Sequence, residues 1–207
     1  MIGEEDCLFL NVHTPVVAEE VGKLPVMVWV HGGRFTSGAG SDPLLGPELL
    51  VQEGVVLVTI NYRLGALGWL TTLTSEAPGN LGLRDVALAL TWVCDNIGDY
   101  GGDSKRVTVF GTSAGSMAIS ALLTMGEEAG GSFQRAILQS GTLARPFFIQ
   151  GLGDDRLAKV RQFGEQLGCG IDNLVKCLRS KSVEELVKQS GVFPAHSVWQ
   201  PVLDGAS

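Results

Sequence analysis

The stretch Val107-Thr108-Val109-Phe110-Gly111-Thr112-Ser113-Ala114-Gly115 decides the fold. Its first four residues are an unbroken β-branched and aromatic run, the pattern of a strand covered on both faces of a sheet. An apolar helix is predicted to start just after Ser113 and to run through Ile119 to about Met125. Between the two lies a G-x-S-x-G pentad, and a serine in that setting sits on a tight strand-to-helix turn with strained backbone angles. The flanking glycines let neighbouring backbone pass close to it. The helix N-terminus would turn free N–H groups and positive dipole character toward a reacting carbonyl. In a chain with 28 glycines the pentad alone also fits an ordinary βα turn. The buried strand before it and the helix after it favour a nucleophile.

Upstream, Val26 to Val30 and Val55 to Ile60 are two more continuous apolar runs, and Ala136 to Gln139 is a shorter one. Leu8 to Val12 alternates and is expected nearer a sheet edge. Parallel strands need crossover helices, and Leu83, Val86, Ala87, Leu90, Val93, Cys94 and Ile97 recur at helical spacing between the Val55 and Val107 runs. The class is α/β, with a mostly parallel central sheet flanked by helices. Beyond residue 150 the pattern changes to helices around Asp155 to Leu167, Asn173 to Arg179 and Val183 to Gln189, read as a helical insertion over 150–197.

His31-Gly32-Gly33-Arg34-Phe35 directly follows the Val26 run. Attack on an ester makes a tetrahedral oxyanion, and fixed backbone donors stabilise it better than mobile water, each contributing on the order of 100- to 1000-fold in rate. The donors assigned are the backbone N–H groups of Gly33, Arg34 and Ala114, with Gly32 supplying flexibility. Gly32 and Thr112 are expected to border the substrate. His-Gly-Gly alone also fits a plain turn; two glycine motifs in the correct order on two predicted strands are much less expected to coincide by chance.

Composition narrows the class further. Of 207 residues, 45% are hydrophobic and 18% charged, so the chain is neither disordered nor fibrous. The net charge of -7 and the single adjacent basic pair Lys105-Arg106 leave no stripe to follow a phosphate backbone, so nucleic acid is not an expected partner. No apolar run reaches the roughly 20 residues of a transmembrane helix. The acidic start Glu4-Glu5-Asp6 does not read as a secretory signal. The cysteines Cys7, Cys94, Cys169 and Cys177 lack metal-ligand spacing, so no metal is expected. Cys169 and Cys177 are spaced to allow a short disulfide loop. Neither G-x-G-x-x-G nor G-x-x-x-x-G-K-[ST] occurs, which sets nucleotide binding aside.

Glu5-Asp6-Cys7-Leu8-Phe9-Leu10-Asn11, the His-Gly-Gly loop, Asn61-Tyr62-Arg63-Leu64-Gly65 and Gly79-Asn80-Leu81-Gly82-Leu83-Arg84-Asp85 follow one another along the chain. Gly101-Gly102-Asp103, the serine pentad, Ala136-Ile137-Leu138-Gln139-Ser140-Gly141 and Pro201-Val202-Leu203-Asp204-Gly205 complete the set. This ordered set resembles the type-B carboxylesterase and cholinesterase family of the α/β-hydrolase fold. The resemblance implies a single partial domain over 1–207, a small-molecule carboxylic ester as substrate, no cofactor, and Ser113 as the nucleophile of an acyl-enzyme. It implies a Cys169–Cys177 disulfide, a Cys7 partner upstream of Met1 and a free, buried Cys94. It also implies secretion or residence in the ER lumen, although no N-x-[ST] sequon supports this.

Three positions depart from the family pattern. Arg34 stands where glycine or alanine is usual, keeping its N–H but bringing a side chain that would crowd the site. Thr112 stands where choline-ester hydrolases often carry glutamate, which disfavours choline esters. Val86 replaces a common glutamine and raises a question about local helix contacts. The resemblance further implies the chain order serine, acid, histidine, with the acid beyond a segment like Pro201 to Gly205. The sequence stops at Ser207, so it reads as a fragment without acid or base, expected to show little or no turnover. His196, near Phe193-Pro194, is not on a loop after a late strand and is rejected as the base. His13 and His31 read as structural, and Asp154, Asp155, Asp172 and Glu184 as solvated faces or helix starts. The competing reading is a catalytically silent adhesion or scaffold relative.

Overall fold

The computed structural model describes residues 3–16, 22–125, 132–144, 154–193 and 198–202. His196, Pro194, Leu203, Asp204, Gly205 and the start of the predicted insertion lie outside the described residues. Among the described residues five strands form one sheet: β1 (Leu10–His13), β2 (Leu24–Val30), β3 (Val56–Ile60), β4 (Gly102–Thr112) and β5 (Arg135–Gln139). Their order is β1-β3-β2-β4-β5, with β1 antiparallel to β3 and every other pairing parallel.

The continuous apolar runs are the inner strands. Val26, Val28, Val30, Val56, Val58, Ile60, Val107 and Val109 are wholly buried. They form one cluster with Leu83, Val86, Leu90, Val93, Ala118, Ile119 and Leu122. The last seven lie on the helices Leu81–Asn96 and Ala114–Leu122. The opposite sheet face is thinner, with Trp29, Leu57 and Phe110 packed beside Leu50 and Val51 of the short helix Glu48–Gln52. Val86 is wholly buried, so an apolar side chain suits that helix position and the question about it falls away.

The differences from sequence expectation lie at element ends. β1 begins at Leu10 rather than Leu8, because its register with β3 starts at Leu10↔Ile60; Leu8 and Phe9 are exposed. β4 starts five residues before Val107, its first residue Gly102 pairing with Leu24 ahead of an irregularity in the ladder. The helix after Ser113 ends at Leu122, and the chain tightens into a turn in which Thr124 and Met125 N–H groups donate to Ala121 and Leu122 carbonyls. Cys94 is free as expected but half-buried rather than buried, because it sits at the helix margin facing the Ser132 carbonyl.

Past residue 150 come the helices Asp154–Gln166, Leu174–Leu178 and Val183–Ser190. Cys169 and Cys177 are disulfide-bonded, Cα atoms 5.6 Å apart. Phe163, Phe193 and Trp199 meet edge to face and join the main core cluster. Ser190 Oγ accepts from the Ala66 N–H at 3.0 Å, tying this helical part to the helix Gly65–Trp69. Among the described residues no helix is long and apolar enough to cross a membrane.

A fork-to-fork ion pair locks the crossover helix to the loop after β3. Arg63 donates through Nε and one Nη to the two oxygens of Asp85 at 2.8 and 2.7 Å, and its backbone N–H adds a third bond at 3.0 Å. The Asp85 side chain is only 4% exposed, so removing it strands several donors. Asp85→Ala is expected to destabilise the complete protein by about 3 kcal/mol, read as a lower urea midpoint at unchanged m-value.

Candidate active site

The chain leaves β2 toward β3 on one side, returns across β2 to β4, and continues outward to β5. β2 and β4 are therefore neighbours whose outgoing connections run in opposite directions, the switch point at whose C-terminal edge open α/β sheets bind ligands. Val30 pairs with Gly111 at that edge. The loop opening at His31 and the turn holding Ser113 consequently leave the sheet side by side.

Their contact is backbone on backbone. A Cβ added at Gly115 would lie 2.1 Å from the Val30 carbonyl oxygen and 2.6 Å from that of His31. One at Gly111 would lie 2.7 Å from the Val30 oxygen. One at Gly32 would lie 2.9 Å from the Thr112 oxygen and 3.3 Å from Ser113 Cβ. Only glycine permits this approach, and it sets the Gly32 loop directly against the serine.

Ser113 occupies φ 51°, ψ -119°, a combination an L-residue avoids at a cost of about 1–3 kcal/mol. Its surroundings over-determine it. The Ser113 N–H donates to the Gln139 carbonyl at the end of β5 at 2.9 Å, and its carbonyl accepts from the Met117 N–H at 3.0 Å. Gly141 packs on the same carbonyl, where a Cβ would come within 2.5 Å of the oxygen. The side chain is half-buried, and its hydroxyl makes no hydrogen bond among the described residues. Ala114 is the first residue of the helix, so its N–H has no acceptor inside the helix.

The facing loop is also strained. Gly33 lies at φ 113°, Arg34 at 57° and Phe35 at 62°. The Gly33 carbonyl folds back to accept from the Thr36 and Ser37 N–H groups at 3.0 Å each. The N–H groups of Gly33 and Arg34 donate to no acceptor among the described residues. Buried Phe35 anchors the loop, its ring 4.5 Å from that of Trp69 and its carbonyl bonded to the Gly65 N–H at 2.7 Å. Arg34 is exposed.

His31 is buried and stacks on Tyr62 with ring centroids 4.4 Å apart, while the Tyr62 hydroxyl donates to the His31 carbonyl at 2.9 Å. Its Nδ1 lies 2.8 Å from the Gly32 carbonyl, which can only accept, so Nδ1 carries the proton of the neutral ring. Its place is beneath the loop, as a prop. His13 is half-buried at the end of β1. Of the acids after Ser113, Asp155 pairs with Lys159 in its own helix, and Asp172 and Glu184 are exposed.

With this geometry in view, the family model described as Carboxylesterase family matches residues 1–207. The chain belongs to the carboxylesterase family. It is similar to acetylcholinesterase of Bungarus fasciatus, 42% identical over 97% of this chain and 34% of the relative. Juvenile hormone esterase of Tribolium castaneum is likewise 42% identical, over 95% of this chain and 34% of its own. Among solved structures, PNB esterase superposes with a TM-score of 0.83 at 39% identity, covering 98% of this chain and 44% of that one. The fold is thus that of an α/β-hydrolase, and the chain spans about a third of the length of the curated relatives it matches.

The sheet brings Gly32, Thr112 and Ser113 into one place, with Gly33, Arg34 and Ala114 on the backbone immediately around them. Sequence reading missed the supports: Tyr62 under His31, Gly141 on the Ser113 carbonyl, and Asn61. The Asn61 side chain accepts from the Gly40 N–H at 2.8 Å and donates to the Cys7 carbonyl at 3.0 Å. The Asn61-Tyr62-Arg63-Leu64-Gly65 and Gln139-Ser140-Gly141 motifs were the available signals, but their order alone does not say what each residue touches.

Burial pushes the His31 imidazole below its ordinary pKa near 6.5; the Gly32 bond and the Asp42 charge oppose this without cancelling it. The folded chain therefore binds that proton less readily than the unfolded chain, so its stability is full above the ordinary value and falls as pH drops through it. The denaturation midpoint is expected to fall between about pH 8 and pH 5, with a shallower fall in His31→Phe. Equal slopes in the two proteins would remove His31 as the cause.

Proposed function

We propose that this chain supplies the nucleophile and oxyanion donors of a carboxylic-ester hydrolase working through a serine acyl-enzyme. Ser113 Oγ attacks the ester carbonyl carbon. The oxygen that becomes negative is taken up by the N–H groups of Gly33, Arg34 and Ala114, and the alcohol leaves with a proton. Water then repeats the attack and releases the acid. The single observation that carries the reading is a serine held at φ 51° against a glycine loop with unengaged N–H groups.

Proton transfer requires a base held by an acid. No histidine bonds to Ser113 among the described residues, and we assign that pair to the part of the protein beyond this chain. Residues 1–207 by themselves are accordingly read as having little or no turnover. We read them as one partial domain, with 150–197 as its helical insertion. The disulfide supports an oxidising compartment, and secretion or the ER lumen is proposed on that ground. A catalytically silent scaffold would gain nothing from a strained serine at a switch point, which favours the hydrolase reading.

The test is labelling of the complete protein with a fluorophosphonate probe. Wild type is expected to label, and Ser113→Ala and Ser113→Gly are not. The two variants also report strain: because φ is positive, Ser113→Gly should be more stable than Ser113→Ala by about 1 kcal/mol, the reverse of the usual order. Absence of serine-dependent labelling would leave the silent reading standing.

A further inference from the structure

Arg34 combines four properties that do not ordinarily coincide. It sits two residues from Gly32, whose Cα lies against Ser113. Its backbone is at φ 57°, where a side chain is disfavoured and glycine would be at ease. Its side chain is exposed. Its guanidinium makes neither an ion pair nor a hydrogen bond among the described residues. Arg63 and Arg106, by contrast, are engaged by Asp85 and Asp103. Strain tolerated at a functional turn points to a use for the residue that causes it. In a chain of net charge -7, an unpaired cation on this loop offers an approaching anion a partner of opposite sign.

We propose that Arg34 is a specificity-determining residue that recognises a carboxylate on the ester substrate. The inference rests on the hydrolase reading above and adds its substrate class: esters bearing a second, ionised carboxyl group within reach of the oxyanion loop. The guanidinium fork matches a carboxylate with two parallel N–H donors, and the flexible stem lets it follow the group as the scissile carbonyl settles over Ser113. Its backbone N–H and its side chain then serve different parts of one substrate, the first the developing oxyanion and the second the remote charge.

The test compares the complete protein with Arg34→Gln and Arg34→Lys on matched ester pairs that differ only in charge. One pair carries the charge on the acyl side, the p-nitrophenyl monoester of adipic acid against its neutral adipamide counterpart. The other carries it on the alcohol side, 3-acetoxybenzoate against 3-acetoxybenzamide. The readout is the charged-to-neutral ratio of kcat/KM, which cancels any general damage to the oxyanion loop. In at least one pair the ratio should fall about tenfold in Arg34→Gln, recover most of its value in Arg34→Lys, and decline in wild type as salt is raised. A ratio unmoved by Arg34→Gln in both pairs, while Ser113 still labels with fluorophosphonate, overturns the role of Arg34 and leaves the hydrolase reading intact. Failure of both labelling and hydrolysis overturns both.

Discussion

The structure turns on the contact between the backbone at Gly115 and the carbonyls that end β2. Every atom of the site is placed by it. A single methyl at position 115 would lie 2.1 Å from the Val30 oxygen, and backbone at the end of a central buried strand has nowhere to move. Gly111 and Gly32 meet the same limit from either side. Three glycines thus let two chain segments, far apart in sequence, leave the sheet in contact, one carrying the Ser113 hydroxyl and the Ala114 N–H and the other the N–H groups of Gly33 and Arg34.

Holding that arrangement requires a scaffold that resists relaxation, because Ser113, Gly33, Arg34 and Phe35 all have positive φ. The scaffold is the segment after β3, which reaches back at successive residues. Asn61 holds the N-terminal segment and Gly40, Tyr62 supports His31, Arg63 clasps Asp85 on the crossover helix, and Gly65 takes the Phe35 carbonyl. In the proposed hydrolase, a donor array fixed this way would need no reorganisation when charge develops. The aromatic stack of His31, Tyr62, Trp69 and Phe35 packs beneath, so the loop rests on rings.

The helical part beyond residue 150 joins the same core through Phe163, Phe193 and Trp199. Buried Arg156 reaches the Gln200 and Pro201 carbonyls, and Asn80 bonds both the N–H and the carbonyl of Val202. The chain leading out of this part is thus held against the start of the crossover helix. Burial lowers the Arg156 guanidinium to about 10, which still leaves it charged at neutral pH.

Much of this was legible in the residues. Continuous valine and isoleucine runs specify strands buried on both faces, the Leu83 to Ile97 spacing specifies the crossover helix, and the pentad between strand and helix specifies where a serine must turn, because local sterics and burial act within a few residues. Val86, the onset of β1 and the exposure of Arg34 were not legible, since each depends on what another segment places opposite. The two ordered glycine motifs pointed to a partnership of the Gly32 loop with Ser113, but the contact that makes it belongs to the tertiary structure: it follows from β2 and β4 being neighbours, and strand order is set by packing across the whole sheet rather than by either strand's own residues.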